Sequence, residues 1–565
     1  MVLRLSELKL PLDHEEADLA PAICKRLKLD PEALLAHRVI KESIDARRKS
    51  AIQIAYSLEL ELPPQLELQL LKRFKRDPHL QPASDTHYQP VAQASPGDPL
   101  PQRPVVVGAG PCGYFCALIL AEMGLRPLLL ERGKPVKERT ADTFGFWKGS
   151  APFNPESNAQ FGEGGAGTFS DGKLYSQVRD PKHLGRKVLE ELVAAGANPE
   201  ILVKHHPHIG TFKLATVVRG LRSKITALGG EIRFESRVSQ LCVEQIDGER
   251  RLSGVALASG EIIPAQQVVL AVGHSARDTF AMLQEEGVTL ERKPFSVGFR
   301  IEHPQPLIDA ARWGNCAGHP RLGAAEYKLV KHVSNGRCVY SFCMCPGGLV
   351  VGATSEVGRV VTNGMSQHSR NERNANSGIV VNIETGDVES YGAYPGDPLA
   401  GIAFQRHWEA KAFELGGKSY AAPGQRLKDF LAGGSQAPAD LGTVKPSYSP
   451  GVVPADLGQA LPAFVIEALR EALPQFEQSI PGYAMDDALL TGVETRTSSP
   501  VRIPRTKTLE SVNTPGLYPA GEGAGFAGGI LSAAMDGIRV AEAVGLTLLR
   551  QERPGAPDGS ACDPA

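Results

Sequence analysis

The stretch at 104–131 constrains the fold more than any other part of this chain. A short apolar run at 104–107 leads straight into Gly108-Ala109-Gly110-Pro111-Cys112-Gly113. An apolar helix is predicted over 114–123, stopping at Gly124, and a second apolar run at 127–130 ends on Glu131. Strand, glycine fingerprint, helix, strand and terminal acid in this register predict a βαβ unit that holds a dinucleotide. Gly108 permits the tight turn, Gly110 leaves room for a pyrophosphate at the backbone, and Gly113 lets the helix lie close to the strand. Pro111 suits the first helical turn, where its missing N–H is not needed. The helix N-terminus offers unpaired N–H groups and a partial positive charge to phosphate. Glu131 is placed to accept hydrogen bonds from ribose hydroxyls.

Two glycine-rich segments far along the chain favour FAD over NAD, because an NAD dehydrogenase would complete its sheet soon after the first unit. Residues 268–272 read as a buried strand ending in Gly273. Much later, LYPAGEGAG at 517–525 runs into FAGGI at 526–530 and an alanine-rich helix through 544. A strand leading into Gly521-Glu522 and then a helix suits the ribityl chain and second phosphate of FAD. Glu522 takes a ribityl hydroxyl. The helix entered through Gly528, Gly529 and Ile530 turns its dipole to the phosphate or the flavin pyrimidine. The sequence has no second strand–GxGxxG–helix–acid unit, since GATSEVG at 352–358 lacks the helix that should follow. NAD(P)H is therefore expected only as a transient electron donor.

The chain has 565 residues, 42% hydrophobic and 22% charged, enough for two or three domains. Lys plus Arg (61) nearly balances Asp plus Glu (63), so no global field draws it toward nucleic acid or an anionic membrane. No apolar run approaches the roughly 20 residues a membrane helix needs. Nine cysteines without an export signal suggest reduced thiols and a cytoplasmic location. The opening residues alternate as a strand, and Ile52, Ile54, Tyr56, Leu58, Leu60 and Leu62 fall on one face of another. Leu19, Ile23 and Leu27 recur at helical spacing, 39–44 reads as a strand and 65–74 as a helix. A small α+β domain is thus expected at 1–76, with its basic clusters at 47–49 and 72–76 read as solvated faces. Residues 77–103, rich in Pro, Gln, Ser and Asp, read as a linker. The expected fold class is α/β: a Rossmann-type FAD-binding domain at 104–286 and 485–550, split by an α+β substrate domain at 287–484. A polar tail follows at 551–565.

Several segments together resemble one family. They are GAGPCG with Glu131-Arg132-Gly133, FGEGGAGTFSDGKL from Phe161, HPHIGT from His206 and LAVGHSARDT from Leu270. VGFRIEHPQ from Val297, SFCMCPGG from Ser341 and YPAGEGAGFAGGI from Tyr518 complete the set. The chain is similar over nearly its whole length to the bacterial FAD-dependent dehydrogenases, also called NAD(P)/FAD-dependent oxidoreductases, with a glutathione-reductase-type FAD fold. The resemblance implies non-covalent FAD, Arg132 among its contacts and a redox role; it supplies no substrate. Glu522 stands where such proteins usually carry Asp.

Closer to the chemistry, the loop at 161–173 brings Gly164, Gly165 and Gly167 beside Thr168, bare enough to press backbone N–H groups against the cofactor. His205, His206 and His208 lack carboxylate or thiol partners at metal-ligand spacing, so no metal site is expected. His208 with Lys213 is a candidate pair facing the flavin. Arg300 shares a strand face with Glu302, and either holds an anionic substrate or forms a structural ion pair. Cys343 and Cys345 alternate on a strand, and a packed pair is favoured over a redox pair. The expected function is a FAD-dependent oxidoreductase passing electrons or hydride through flavin N5 to or from an unidentified small molecule. An RNA-modifying flavoprotein and a non-catalytic FAD-binding protein are the rivals; the balanced charge argues against nucleic acid.

Overall fold

The computed structural model describes residues 2–95, 102–246, 249–433 and 440–549. The tail at 551–565 and the 96–101 part of the expected linker lie outside the described residues.

Five parallel strands form the first sheet, in the order Leu517–Pro519, Val268–Leu270, Val105–Val107, Leu128–Leu130, Glu231–Arg233. The strands Val105–Val107, Leu128–Leu130 and Val268–Leu270 are buried throughout, as a sheet covered on both faces requires. Val106, Leu129, Val269 and Tyr518 join one core with the helices Pro111–Glu122, Leu184–Ala194, Thr211–Ala227 and Ile530–Leu548. Their neighbours Val105, Val107, Leu128, Leu130, Val268 and Leu270 join another core with the antiparallel sheet of Val238–Ile246, Glu249–Leu257 and Ile262–Pro264. Period-two alternation thus sends successive side chains to opposite layers.

The second sheet has eight strands and belongs to the insert. Its central strand, Phe295–Pro304, pairs antiparallel with Asn374–Ile383 on one side and Leu489–Glu494 on the other. The latter corrects the boundary read from sequence, which gave 485 onward to the FAD-binding part. An apolar strand carries no mark of which sheet it joins, and pairing with Phe295–Pro304 decides it. A small ladder of Glu291–Arg292 with Val501–Arg502 ties together the points where the insert leaves and returns.

The N-terminal segment carries a four-stranded sheet and the helices Leu19–Leu27 and Pro64–Arg73. Ile52, Ile54, Tyr56, Leu58, Leu60 and Leu62 are all buried. Two features depart from the sequence reading. Within the expected linker, Leu80–Pro82 is the fourth strand of this sheet, and Ala92 is buried in the core beneath the Pro111–Glu122 helix. The domain's core is also not its own: its buried side chains form one cluster with those of the insert. Lys49 donates to the Ala311 carbonyl at 2.6 Å, and Glu42 exchanges backbone hydrogen bonds with Val203 and His205. Among the described residues, no helix is long and apolar enough to cross a membrane.

Candidate active site

A cleft of about 1760 Å³, counting its open mouth, runs past the carboxyl ends of the parallel strands. Ligands of open α/β sheets bind at this edge. Gly108, Gly110, Pro111, Glu131 and Arg132 line one end, and Gly165 and Gly167 cross its middle. Gly273, Glu522, Gly528, Gly529 and Ile530 line the wall built by the late segments. The insert closes the far side with Phe342, Cys343, Cys345, Asn363, Gly364, Arg496 and Thr497.

The glycines divide by what a side chain would meet. At Gly113 a Cβ would stand 1.8 Å from the Gly108 carbonyl oxygen, and at Gly108, with φ +105°, 2.4 Å from the Ala271 carbonyl oxygen. Helix and strand backbones occupy that space. A Cβ at Gly110 would find nothing nearer than 3.9 Å, and at Gly528 nothing within 4 Å. Gly110 has an ordinary extended backbone, φ −77° and ψ −178°. The cleft in front of these two residues is therefore left open by glycine without the protein filling it, as a backbone-contacting ligand requires.

Glu131 does more than the sequence suggested. Its carboxylate accepts backbone N–H groups from Ala109 at 2.8 Å, Gly133 at 2.8 Å and Gly162 at 2.9 Å, so it ties the fingerprint loop to the 161–173 loop. Oε1 takes two of these donors, and Oε2, with one, retains accepting capacity toward a hydroxyl in the cleft. Arg132 spans Glu156 and Asp278 and lies over the Phe161 ring, its guanidinium carbon 4.1 Å from the centroid.

Sequence reasoning missed the residue that organises the loop. Arg139, fully buried, donates to the carbonyls of Asn158, Ala159, Gly162, Glu163 and Gly165. Burial lowers its pKa to about 10 against the opposing pull of Glu131 and Glu163. A single arginine in an amphipathic helix carries no motif that would reveal this. His274 was also missed, although it follows directly on Gly273. Its Nδ1 lies 3.3 Å from Glu522 Oε1, and its Nε2 is buried without a hydrogen-bond partner.

Four of the expected cofactor contacts stand behind the cleft wall and do not line it. Gly113 packs on the strand, and Gly164 bonds to the Ala109 carbonyl. Thr168 bonds to the Glu163 carbonyl, and Gly521 donates to Asp536 at 2.8 Å. They shape the wall. The three expected catalytic candidates need correction. Arg300 is fully buried and forms a two-bond pair with Glu494 at 2.9 and 3.0 Å, further held by Asn376 and the Cys343 carbonyl. It is a structural ion pair, and its partner is Glu494, not Glu302; Glu302 accepts from Ser447 and Asn374 instead. Lys213 is exposed on the outer face of its helix, and His208 bonds to the His368 carbonyl outside the cleft lining. The turn at Gly210 separates the two, so they do not face the cleft as a pair.

Besides Arg132 and Arg237, the cleft is lined by Lys173 from the glycine-rich loop and Arg496 from the insert. Lys173 lies 3.0 Å from Asp171 and donates to the Met344 carbonyl. Burial would lower its pKa, but the Asp171 carboxylate outweighs this and raises it. Arg496 donates to the hydroxyls of Ser275 at 3.1 Å and Ser355 at 2.6 Å, and to Glu409 at 3.0 Å. Glu409 also takes Arg277 at 2.7 Å, and these two arginines hold its carboxyl well below the usual range despite burial. Arg277 also pairs with Glu356 at 2.6 Å, so the two arginines share two carboxylates behind the cleft wall.

Residues 294–497 match the model of the FAD-dependent protein, C-terminal domain-like family, and residues 2–61 match a domain of unknown function. An uncharacterized protein of Clostridium beijerinckii is 45% identical over 544 residues, covering 96% of this chain and 98% of its own. Solved structures share less. A flavocytochrome c3 fumarate reductase is 12% identical over 80% of this chain and 78% of its own, with a TM-score of 0.33. The 3-ketosteroid-delta4-(5alpha)-dehydrogenase of Rhodococcus jostii RHA1 is 12% identical over 82% of this chain and 100% of its own, also at 0.33. With identity spread over its length and an FAD-dependent domain at its centre, this flavoprotein belongs to the same family of FAD-dependent proteins as the clostridial protein.

Proposed function

We propose that the protein is an oxidoreductase enzyme that uses FAD held non-covalently in this cleft to exchange electrons or hydride with a small molecule. The observation that carries the reading is the continuity of the cleft, from the open glycine at 110 to the open glycine at 528. Gly110, Pro111 and the N–H groups of the first helical turn would receive the pyrophosphate, and Glu131 the adenosine ribose. Glu522 and His274 would hold the ribityl chain, and the N-terminus of Ile530–Leu548 the second phosphate or the flavin pyrimidine. FAD supplies hydride or single-electron chemistry at its ring, while the protein supplies position, electrostatics and exclusion of water.

The insert wall would then face the reacting part of the cofactor. Lys173 and Arg496 bring cationic N–H donors there, each beside an acidic partner, and these would orient an anionic or polar substrate. NAD(P)H would act as a transient donor, entering from the open mouth. Purified protein should be yellow and release intact FAD on heating. Anaerobically reduced protein mixed with candidate acceptors should then reoxidise faster than free reduced flavin. Bound NAD without flavin would refute the cofactor assignment, and reoxidation no faster than free flavin with every acceptor class would favour the non-catalytic alternative.

A further inference from the structure

Two thiols line the wall of the cleft built by the insert. Cys343 is solvent-accessible, and Cys345, although buried, lines the same wall. They belong to one long strand, Cys338–Gly352, whose pairing with Asn374–Ile383 shifts register between Phe342 and Cys345. In a regular strand, residues two apart stand about 6.6–6.8 Å from Cα to Cα. That is the upper edge of what a disulfide spans, about 4.4–6.8 Å. Here the strand is not regular. Cys343 has φ +43°, in the left-handed region, so the chain bulges at the first cysteine. Cys345 Sγ turns back along the chain and donates to the Cys343 carbonyl at 3.3 Å.

Cations flank this turn from both sides. Lys173 donates to the carbonyl of Met344, the residue between the two cysteines, and Arg300 donates to the Cys343 carbonyl at 2.8 Å. Gly364 lets the Cys345 sulfur and the Arg300 guanidinium pack against one backbone, since a Cβ there would stand 2.7 Å from the sulfur and 2.5 Å from Arg300 Nη1. A packed apolar pair does not explain the accessible thiol. Burial raises the Cys343 thiol pKa to about 11, with Lys173 and Arg300 opposing.

We infer that Cys343 and Cys345 form a dithiol–disulfide pair that exchanges two electrons with the FAD of this cleft. In the oxidising direction two S–H bonds break and one S–S bond forms. The two electrons and two protons released reduce FAD to FADH2, and the reverse step restores both thiols. Cys343, open to the cleft, is the sulfur an external disulfide or thiol substrate would meet. The substrate class would then be a small thiol or disulfide, or another two-electron carrier reached through one. The inference rests on the placement of FAD proposed above.

The test uses the full-length, FAD-loaded protein. Alkylation with iodoacetamide under denaturing conditions, before and after dithiothreitol, is mapped by peptide mass spectrometry. Air-oxidised protein should protect Cys343 and Cys345 and no other cysteine, and dithiothreitol should free both. Dithionite titration should consume about four electrons per FAD in the wild type and about two in Cys345→Ser. A yellow protein whose Cys343 and Cys345 are alkylated before reduction, with a wild-type endpoint of about two electrons, overturns the pair and leaves the FAD reading intact. Protein without flavin overturns both. The alkylation map needs no variant, so a Cys345→Ser protein that fails to fold does not spare the inference.

Discussion

Replacing Gly110 with Ala separates the ligand from the fold more cleanly than any other change in the fingerprint. The backbone there is extended, so an alanine is accommodated without a positive-φ penalty. Its Cβ would make only an ordinary contact, 3.9 Å from the Gly165 Cα. Gly110 is the N-cap of Pro111–Glu122, where alanine is a poorer cap, so the apoprotein should lose about 0.5–1 kcal/mol. Bound FAD would suffer more. The methyl group points into the space where a pyrophosphate must approach the backbone, and at least one charge-assisted hydrogen bond would be lost. Such a bond contributes about 1.5–3 kcal/mol, which is roughly a tenfold to 150-fold rise in Kd. Flavin-fluorescence quenching on titrating FAD into each apoprotein gives Kd, and urea unfolding of the same samples gives stability. Gly113→Ala is the contrast: its Cβ would overlap the Gly108 carbonyl oxygen at 1.8 Å, so that variant should fail to fold. An unchanged Kd for Gly110→Ala, or an unfolded Gly110→Ala apoprotein, would refute the division of glycines into wall and cradle.

Other changes test other parts of the cleft. Glu522→Ala should weaken FAD by about 1.5–3 kcal/mol, the loss of one charged hydrogen bond, with the fold retained; equal Kd values in the same titration would remove this residue from the site. Arg300→Met should destabilise the protein by about 3–5 kcal/mol, because Glu494 is left buried and unpaired. FAD bound to the Arg300→Met protein that still folds should show the wild-type Kd, and a stable variant would show the pair to be dispensable. His303 is fully buried, and burial lowers its pKa from 6.5 to about 4. The unfolded chain takes up this proton first, so stability is fully present above about pH 6.5 and falls as pH drops toward 4. That loss amounts to about 3 kcal/mol at about 1.36 kcal/mol per pH unit. Urea unfolding at pH 7.5 and 4.5 should show a smaller pH loss in His303→Gln than in the wild type, and equal losses would contradict the assignment.

The fingerprint was legible in the sequence because its glycines, proline and terminal acid sit within one local βαβ unit, where spacing alone defines contact. The N-terminal strand from Gln53 to Glu61 was legible for the same reason: period-two alternation is a local signal. Arg300 shows where that logic ends. Alternation correctly put it on a face, but that face looks at Glu494, 194 residues away, across a strand pairing that no local pattern announces. Arg139 and Glu409 were invisible in a related way. One gathers carbonyls from a loop, the other gathers two arginines from separate segments, and neither arrangement has a spacing. Lys173 was passed over because the loop was read for its bare backbone, not for the charge it carries into the cleft.

The split of the FAD-binding part has an energetic consequence. The helices Pro111–Glu122 and Ile530–Leu548 pack so closely that a Cβ on Gly537 would stand 2.2 Å from the Cys112 carbonyl oxygen. Both helices therefore present their N-termini, at Gly110–Pro111 and Gly529–Ile530, to the same cleft. Each N-terminus favours nearby negative charge by about 0.3–1 kcal/mol, and up to about 2 kcal/mol where it is partly buried. A diphosphate reaching both draws on two dipoles fixed by one helix contact. Either segment alone supplies half of that, and the second arrives only after the chain has completed the whole insert. The unfolded chain cannot bring the two together, so ligand binds the folded state alone. FAD at a hundred times its Kd should then add about 2.7 kcal/mol to the stability of the whole assembly. The insert and the N-terminal domain share one core, so this stabilisation reaches regions of the chain that never touch the cofactor.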